Sequence, residues 1–106
     1  MLATSNAPRY ARPVIQSFSD TETEKVWRRV HSKRLGPDLQ RAAHRKLLML
    51  DAAEVLDDLR VPPGNRLELL RGDRSGQHSV RVNDQWRICF AWGPAGPADV
   101  HLADYH

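Results

Sequence analysis

Apolar residues recur along this chain with two periods, and the change of period divides it. Val14-Ile15-Gln16-Ser17-Phe18 is short and mostly apolar, the pattern of a brief N-terminal strand. Ser19-Asp20 followed by Thr21-Glu22-Thr23-Glu24 puts a cap residue and early acids where a helix N-terminus needs them. That helix is expected to reach about Val30 and to bury Val26, Trp27 and Val30. Pro37-Asp38 opens a second helix, because the fixed φ of proline suits a first turn. Leu35, Leu39, Ala43, Leu47 and Leu50 then repeat at helical spacing, with Gln40, Arg41, His44, Arg45 and Lys46 turned outward.

Beyond Asp51 the helical period is lost. Val61-Pro62-Pro63-Gly64-Asn65 is a turn or polyproline stretch, since proline removes donors from helix and sheet alike. Period two then takes over: strands are expected over Arg66 to Arg71, His78 to Val82, Trp86 to Trp92 and Asp99 to Ala103. Turns at Gly72–Gly76 and Asn83–Gln85, and a longer hairpin loop at Gly93–Pro97, make an antiparallel meander. The expected fold is therefore α+β: an N-terminal strand and a helical hairpin packed on one face of a small antiparallel sheet.

Alternation sorts the two faces of that sheet. Trp86, Ile88, Phe90 and Trp92 share one face with Val80, Val82, Leu67, Leu69, Val100 and Leu102. The other face collects small residues together with Glu68, Arg81, Arg87, His101 and Tyr105. Arg87 sits among apolar neighbours in a strand interior, where a guanidinium is costly to desolvate and needs an anionic partner. Glu68 or Asp104 can supply it from within, or a phosphate from outside. Arg71 and Arg74 bracket Gly72-Asp73, so a tight turn projects two more guanidiniums suited to phosphate oxygens.

The closing Asp104-Tyr105-His106 brings a carboxylate, a phenol and an imidazole, groups able to move protons near neutral pH. Together with the arginines they point to a nuclease that needs no metal, with the 2′-hydroxyl of RNA as nucleophile. His106 would act as acid or base, Tyr105 or Glu68 would take the complementary step, and Asp104 would orient them. Arg71, Arg74 and Arg87 would stabilise the charge gathering on phosphorus. Arg41, Arg45 and Lys46 add positive charge on the second helix as a further candidate contact for a polyanion.

Length bounds these readings. A chain of 106 residues is one domain, and 16 Lys+Arg against 13 Asp+Glu leave a net charge of only +3. Placement of charge must therefore decide what is bound. The single cysteine, Cys89, excludes an internal disulfide and reads as a packing residue in a reducing, cytoplasmic setting. No apolar run approaches the ~20 residues that span a bilayer. No cofactor loop and no spacing typical of metal ligands occurs. Residues 1–13, with two prolines, two arginines and no periodicity, read as a flexible N-terminal extension to a domain over 14–106.

Several segments also resemble one family in a fixed order. They are Val61-Pro62-Pro63-Gly64-Asn65-Arg66-Leu67, Leu70-Arg71-Gly72-Asp73-Arg74, Ser79-Val80-Arg81-Val82-Asn83, Gln85-Trp86-Arg87-Ile88-Cys89-Phe90 and Asp104-Tyr105-His106. The chain resembles the plasmid-maintenance killer proteins, the HigB branch of the RelE/ParE toxin superfamily. The resemblance implies an endoribonuclease that enters the ribosomal A site and cuts mRNA during translation. It implies a cognate helix-turn-helix antitoxin of the HigA type, with operator DNA reached only through that antitoxin. By the same resemblance Arg71 and Arg87 are phosphate-site cations, Asp104, Tyr105 and His106 are the terminal catalytic group, and Arg74 contacts the backbone. Some members carry histidine at the position of Glu68 and lysine at that of Arg71, so the allocation of acid and base stays open. A gyrase-poisoning toxin of the same fold, and a catalytically silent binding module, are the alternatives.

Overall fold

The computed structural model describes residues 12–105; Met1 to Ala11 of the expected extension, and His106, lie outside the described residues. Helix α1 spans Thr21–Arg28, and the Asp20 carboxylate caps it by accepting from the Thr23 amide at 2.7 Å. It stops two residues short of the expected Val30. Arg29 adopts a left-handed conformation (φ 61°), and its amide turns back to the carbonyls of Lys25 and Val26. Val30 is consequently carried past the helix end and lies half exposed instead of in the core. Helix α2, Pro37–Ala52, follows the expected stripe, with Ala43, Leu47 and Leu50 fully buried. Gln40 departs from its expected outward role: its amide nitrogen donates to the carbonyls of Ser32 (3.2 Å) and Leu35 (2.7 Å), and so ties down the interhelical loop.

Between α2 and the sheet the chain makes 3₁₀ turns at Leu56–Arg60 and Pro63–Asn65. Asn65 is buried; its amide donates to the Leu59 carbonyl (3.1 Å), and its oxygen accepts from Lys46 at 2.6 Å. Four antiparallel strands follow in meander order: β1 Glu68–Leu69, β2 His78–Arg81, β3 Trp86–Gly93 and β4 Gly96–Asp104. β1 is much shorter than the expected Arg66 to Arg71. Arg66 enters it in a left-handed conformation (φ 46°), and a 3₁₀ turn at Gly72–Arg74 follows it, so only two residues can pair. The hairpin between β3 and β4 is tighter than expected: Gly93 pairs with Gly96 around Pro94-Ala95 alone.

The expected N-terminal strand is reduced to one parallel bridge, Phe18 to Val100, within a segment that runs beside β4. Amides of Gln16 and Ser19 donate to carbonyls of Pro97 and Val100, and the Val100 amide donates back to Ser17. The next free amide of β4, that of Leu102, is taken by the Thr23 hydroxyl at 2.9 Å. The outer edge of β4 is thereby closed by a strand-like segment and then by a helix side chain. Val26, Ala43, Leu47, Leu50, Val80, Val82, Ile88, Phe90 and Val100 form the core between the helices and the sheet. Leu69 is absent from it, being 62% exposed on the edge strand. Leu70 instead joins Cys89 and Ala103 in a small apolar cluster on the opposite face.

Two outcomes follow. A Cβ on Gly96 would lie 2.3 Å from the Val14 carbonyl oxygen, at a φ of +125° that side chains avoid. Gly96→Ala should therefore cost more than about 1 kcal/mol, read as a lower urea midpoint at unchanged slope. His78 stacks on Phe90, and its Nδ1 is buried without a hydrogen-bond partner. Burial, helped by the Arg60 charge, lowers the pKa of its imidazole. The folded state thus prefers neutral His78. Stability should be complete above the unfolded value of about 6.5 and fall as the pH drops through it toward the folded value. His44, lowered by burial and Arg29, acts in the same direction. His78→Phe should flatten that acid loss in thermal melts taken across the range.

Candidate active site

Period two in β3 sends Arg87 to the face away from the helices, and the register sets it directly opposite Arg81 on β2. Two guanidiniums facing each other across a ladder repel, so each must be held by something else. Arg81 pairs with the Asp84 carboxylate in the following turn. Arg87, only 8% exposed, donates from Nε to the Ser79 hydroxyl at 2.7 Å and from Nη2 to the carbonyls of Arg66 and Ser79. The Glu68 carboxylate stands 3.8 Å from the same nitrogen but is itself 57% exposed. The internal partner of Arg87 is therefore mostly neutral oxygen. Asp104, the other expected partner, accepts instead from the Gln85 amide at 3.1 Å and shares its register position with Trp86, on the core side.

Arg87 forms one wall of a groove of about 630 Å³, together with Gly64, Arg66, Glu68, Arg81, Asn83, Asp84 and Tyr105. A second hollow, of about 570 Å³, shares Glu68 and Tyr105 and adds Arg71, Asp73 and Arg74. The fold so gathers Glu68, Arg71, Arg74, Arg87 and Tyr105 around one end of the bare face. Tyr105 reaches it because its amide continues the ladder past β4, donating to Gln85 at 2.6 Å. Burial raises the phenol's pKa, and Cys89 adds to the rise, while the Arg74 guanidinium pulls the other way.

Other expected residues lie elsewhere. Arg41, paired with Asp38, and Arg45 line a separate hollow between α1 and α2. Lys46 is spent on Asn65, and burial, with the charges of Arg45 and Arg81, lowers its ammonium pKa. Arg66 and Arg81 were not among the expected site residues. Alternation already placed Arg81 beside Arg87, which was signal enough. Arg66 gave none, because its side chain is aimed by a left-handed backbone. Among the described residues no three His, Cys, Asp or Glu side chains gather as metal ligands would, and no helix is long and apolar enough to cross a membrane.

A family model described as a RelE-like toxin of the type II toxin–antitoxin system HigB matches residues 16–106. The chain belongs to the HigB family of RelE-like toxins. It is 45% identical over 76 residues to Toxin HigB-1 of Vibrio cholerae, covering 71% of this chain and 80% of that protein. It is 42% identical over 62 residues to an uncharacterised protein of Haemophilus influenzae, covering 58% of this chain and 60% of that one. The YoeB–YefM complex of Staphylococcus aureus contains a chain similar in fold. It aligns at a TM-score of 0.56 and 14% identity over 91% of this chain and 99% of its own. As the toxin of a type II system, a HigB-family chain has an antitoxin as its partner.

The two contacts of Arg87 should differ sharply when tested. Ser79→Ala removes a buried acceptor from a charged donor and should cost about 1.5–3 kcal/mol of stability by denaturant titration. Glu68→Gln removes only an exposed and distant charge, and should change stability by less than about 1 kcal/mol.

Proposed function

We propose that this HigB-family toxin is a ribosome-dependent endoribonuclease that cuts mRNA through the 2′-hydroxyl next to the scissile phosphate. The observation that carries this reading is the opposed pair Arg81 and Arg87, prearranged in a groove and not neutralised by buried carboxylates. Such a pair is costly to assemble and suits an oxyanion that becomes more charged as the reaction proceeds.

In the reaction the 2′-oxygen bonds to phosphorus, the bond from phosphorus to the 5′-oxygen breaks, and a 2′,3′-cyclic phosphate and a 5′-hydroxyl remain. One proton must leave the 2′-hydroxyl and another must reach the 5′-oxygen. Glu68 and Tyr105 lie on the groove wall, and His106 follows Tyr105 in the sequence. These three are the proton carriers of the proposal. Arg66, Arg81 and Arg87 hold the phosphoryl oxygens, and Arg71 and Arg74 hold the neighbouring backbone. Arginine stays charged throughout and exchanges no proton. The ribosomal A site supplies the mRNA in extended form. A helix-turn-helix antitoxin of the HigA type restrains the enzyme in the cytoplasm and alone carries it to operator DNA.

Mapping mRNA 5′ ends after induction tests the reading. Wild type should yield new ends within translated codons, and a 2′-deoxy nucleotide at the cut position should abolish them. Arg87→Ala should lower cleavage by about 10²-fold or more, and His106→Ala should do likewise, both while still binding antitoxin. Intact mRNA with rising DNA-damage signals would favour gyrase poisoning, and salt-sensitive RNA binding without new ends would favour a silent binder.

A further inference from the structure

Cys89 is fully buried beneath the candidate site, and the proposed reaction does not use it. The register of β3 and β4 sets His101 directly opposite it, on the same face as Tyr105. The Tyr105 hydroxyl lies 3.8 Å from the Cys89 sulfur. On its far side the His101 ring is anchored: Nδ1 lies 3.0 Å from the Ser19 hydroxyl and 3.0 Å from the Asp99 carbonyl. That hydroxyl is itself 3.1 Å from the same carbonyl.

These contacts have one consistent direction. A backbone carbonyl only accepts, so the Ser19 hydroxyl donates to Asp99, and Nδ1–H donates to Ser19 and Asp99. Nε2 is then the nitrogen left for the thiol. It accepts from S–H when the imidazole is neutral and donates to a thiolate when it is charged. In both states sulfur retains lone pairs toward the phenol, so the Tyr105 proton is directed down to sulfur. The phenol oxygen therefore turns its lone pairs up into the groove, on the side of Arg74.

We propose that Cys89 and His101 are positioning residues for Tyr105, a cross-strand thiol–imidazole pair whose sulfur accepts the phenol's hydrogen bond from below and so leaves the phenol oxygen's lone pairs facing the substrate hydroxyl. The catalytic half of this statement rests on the ribonuclease reading above; the pairing itself does not. The electrostatics agree with the geometry. Burial alone pushes the Cys89 thiol up, yet contacts with His101 and Tyr105 and the charges of His101 and Arg74 bring it below its usual value. His101 is raised, chiefly by its contact with Cys89 and against the effect of its own burial.

The chain has one cysteine and two tyrosines, so Tyr10→Phe leaves Tyr105 as the sole phenol and both groups can be titrated by absorbance. In that full-length background Cys89→Ala should move the phenolate transition to lower pH, and Cys89→Ser, which keeps an acceptor, should move it back. His101→Leu should move the thiolate transition to higher pH. Phenolate and thiolate transitions left where wild type has them would overturn the pairing. Cleavage of mRNA should fall about tenfold in Cys89→Ala, as expected for loss of one hydrogen bond, and recover in Cys89→Ser. Equal cleavage by Cys89→Ala and wild type would overturn the positioning role. If wild type cuts no mRNA, the ribonuclease reading fails, and the two titrations still decide the pair.

Discussion

The structure is organised around one desolvated guanidinium. Arg87 sits in the longest apolar run of the sheet, at a position where a neutral side chain would be far less costly to bury. Its cost is met by shape rather than by charge. Ser79 on β2 offers a hydroxyl and a carbonyl, and the left-handed turn at Arg66 offers a second carbonyl at the mouth of β1. That explains why β1 begins so abruptly. A regular strand from Arg66 onward would direct its carbonyls along the ladder, and one of them would no longer meet Arg87. Neutral acceptors fix the guanidinium without cancelling its charge, so the field of Arg87 remains available to the groove.

The same sheet explains why the proposed proton carriers Glu68 and Tyr105 collect at one corner. The helices cover only one face, and the N-terminal segment with Thr23 closes the outer edge of β4. What remains open is the far face near the ends of β1 and β4, where Glu68, the Gly72–Arg74 turn and Tyr105 meet. On that face Leu70, Cys89 and Ala103 form a floor too small to be a second core. It keeps Cys89 fully buried beneath Tyr105, where a polar contact to sulfur counts for more than it would in water.

Much of this was legible in the sequence, and the limits have physical causes. Alternation in Trp86–Trp92 assigned Ile88 and Phe90 to the core and Arg87 to the open face, and the unbroken pairing with β2 keeps that assignment although the register with β4 shifts between Cys89 and Ala91. The stripe on α2 was equally plain. Edges and ends were not. Val30 and Leu69 satisfied the expected patterns, yet one lies beyond a left-handed cap and the other on a two-residue edge strand that no helix covers. Asp104 looked like a partner for Arg87 by proximity in sequence to Tyr105. Its register with Trp86 places it on the other side of the sheet, as alternation from Leu102 to Asp104 already implied. Arg41 and Arg45 failed to join the site for a similar reason: helical spacing specifies a face of α2 but not what that face meets.

Net charge, finally, is a poor guide to this molecule. An excess of three positive charges over 106 residues would scarcely distinguish it from an ordinary soluble domain. Yet Arg66, Arg71, Arg74, Arg81 and Arg87 all line two adjoining hollows, where the acids present are Glu68, Asp73 and Asp84. Asp84 is occupied by Arg81, and Glu68 is shared between the hollows. The corner thus carries five arginines against three acids, a surplus of two, beside a net charge of +3 for the whole chain. Elsewhere, among the described residues, four short-range pairs offset eight further charges: Lys25 with Glu22, Arg28 with Glu24, Arg41 with Asp38 and Arg60 with Asp57. Concentrating the surplus there gives a weakly basic chain the directed attraction for a phosphodiester that the proposed reaction requires.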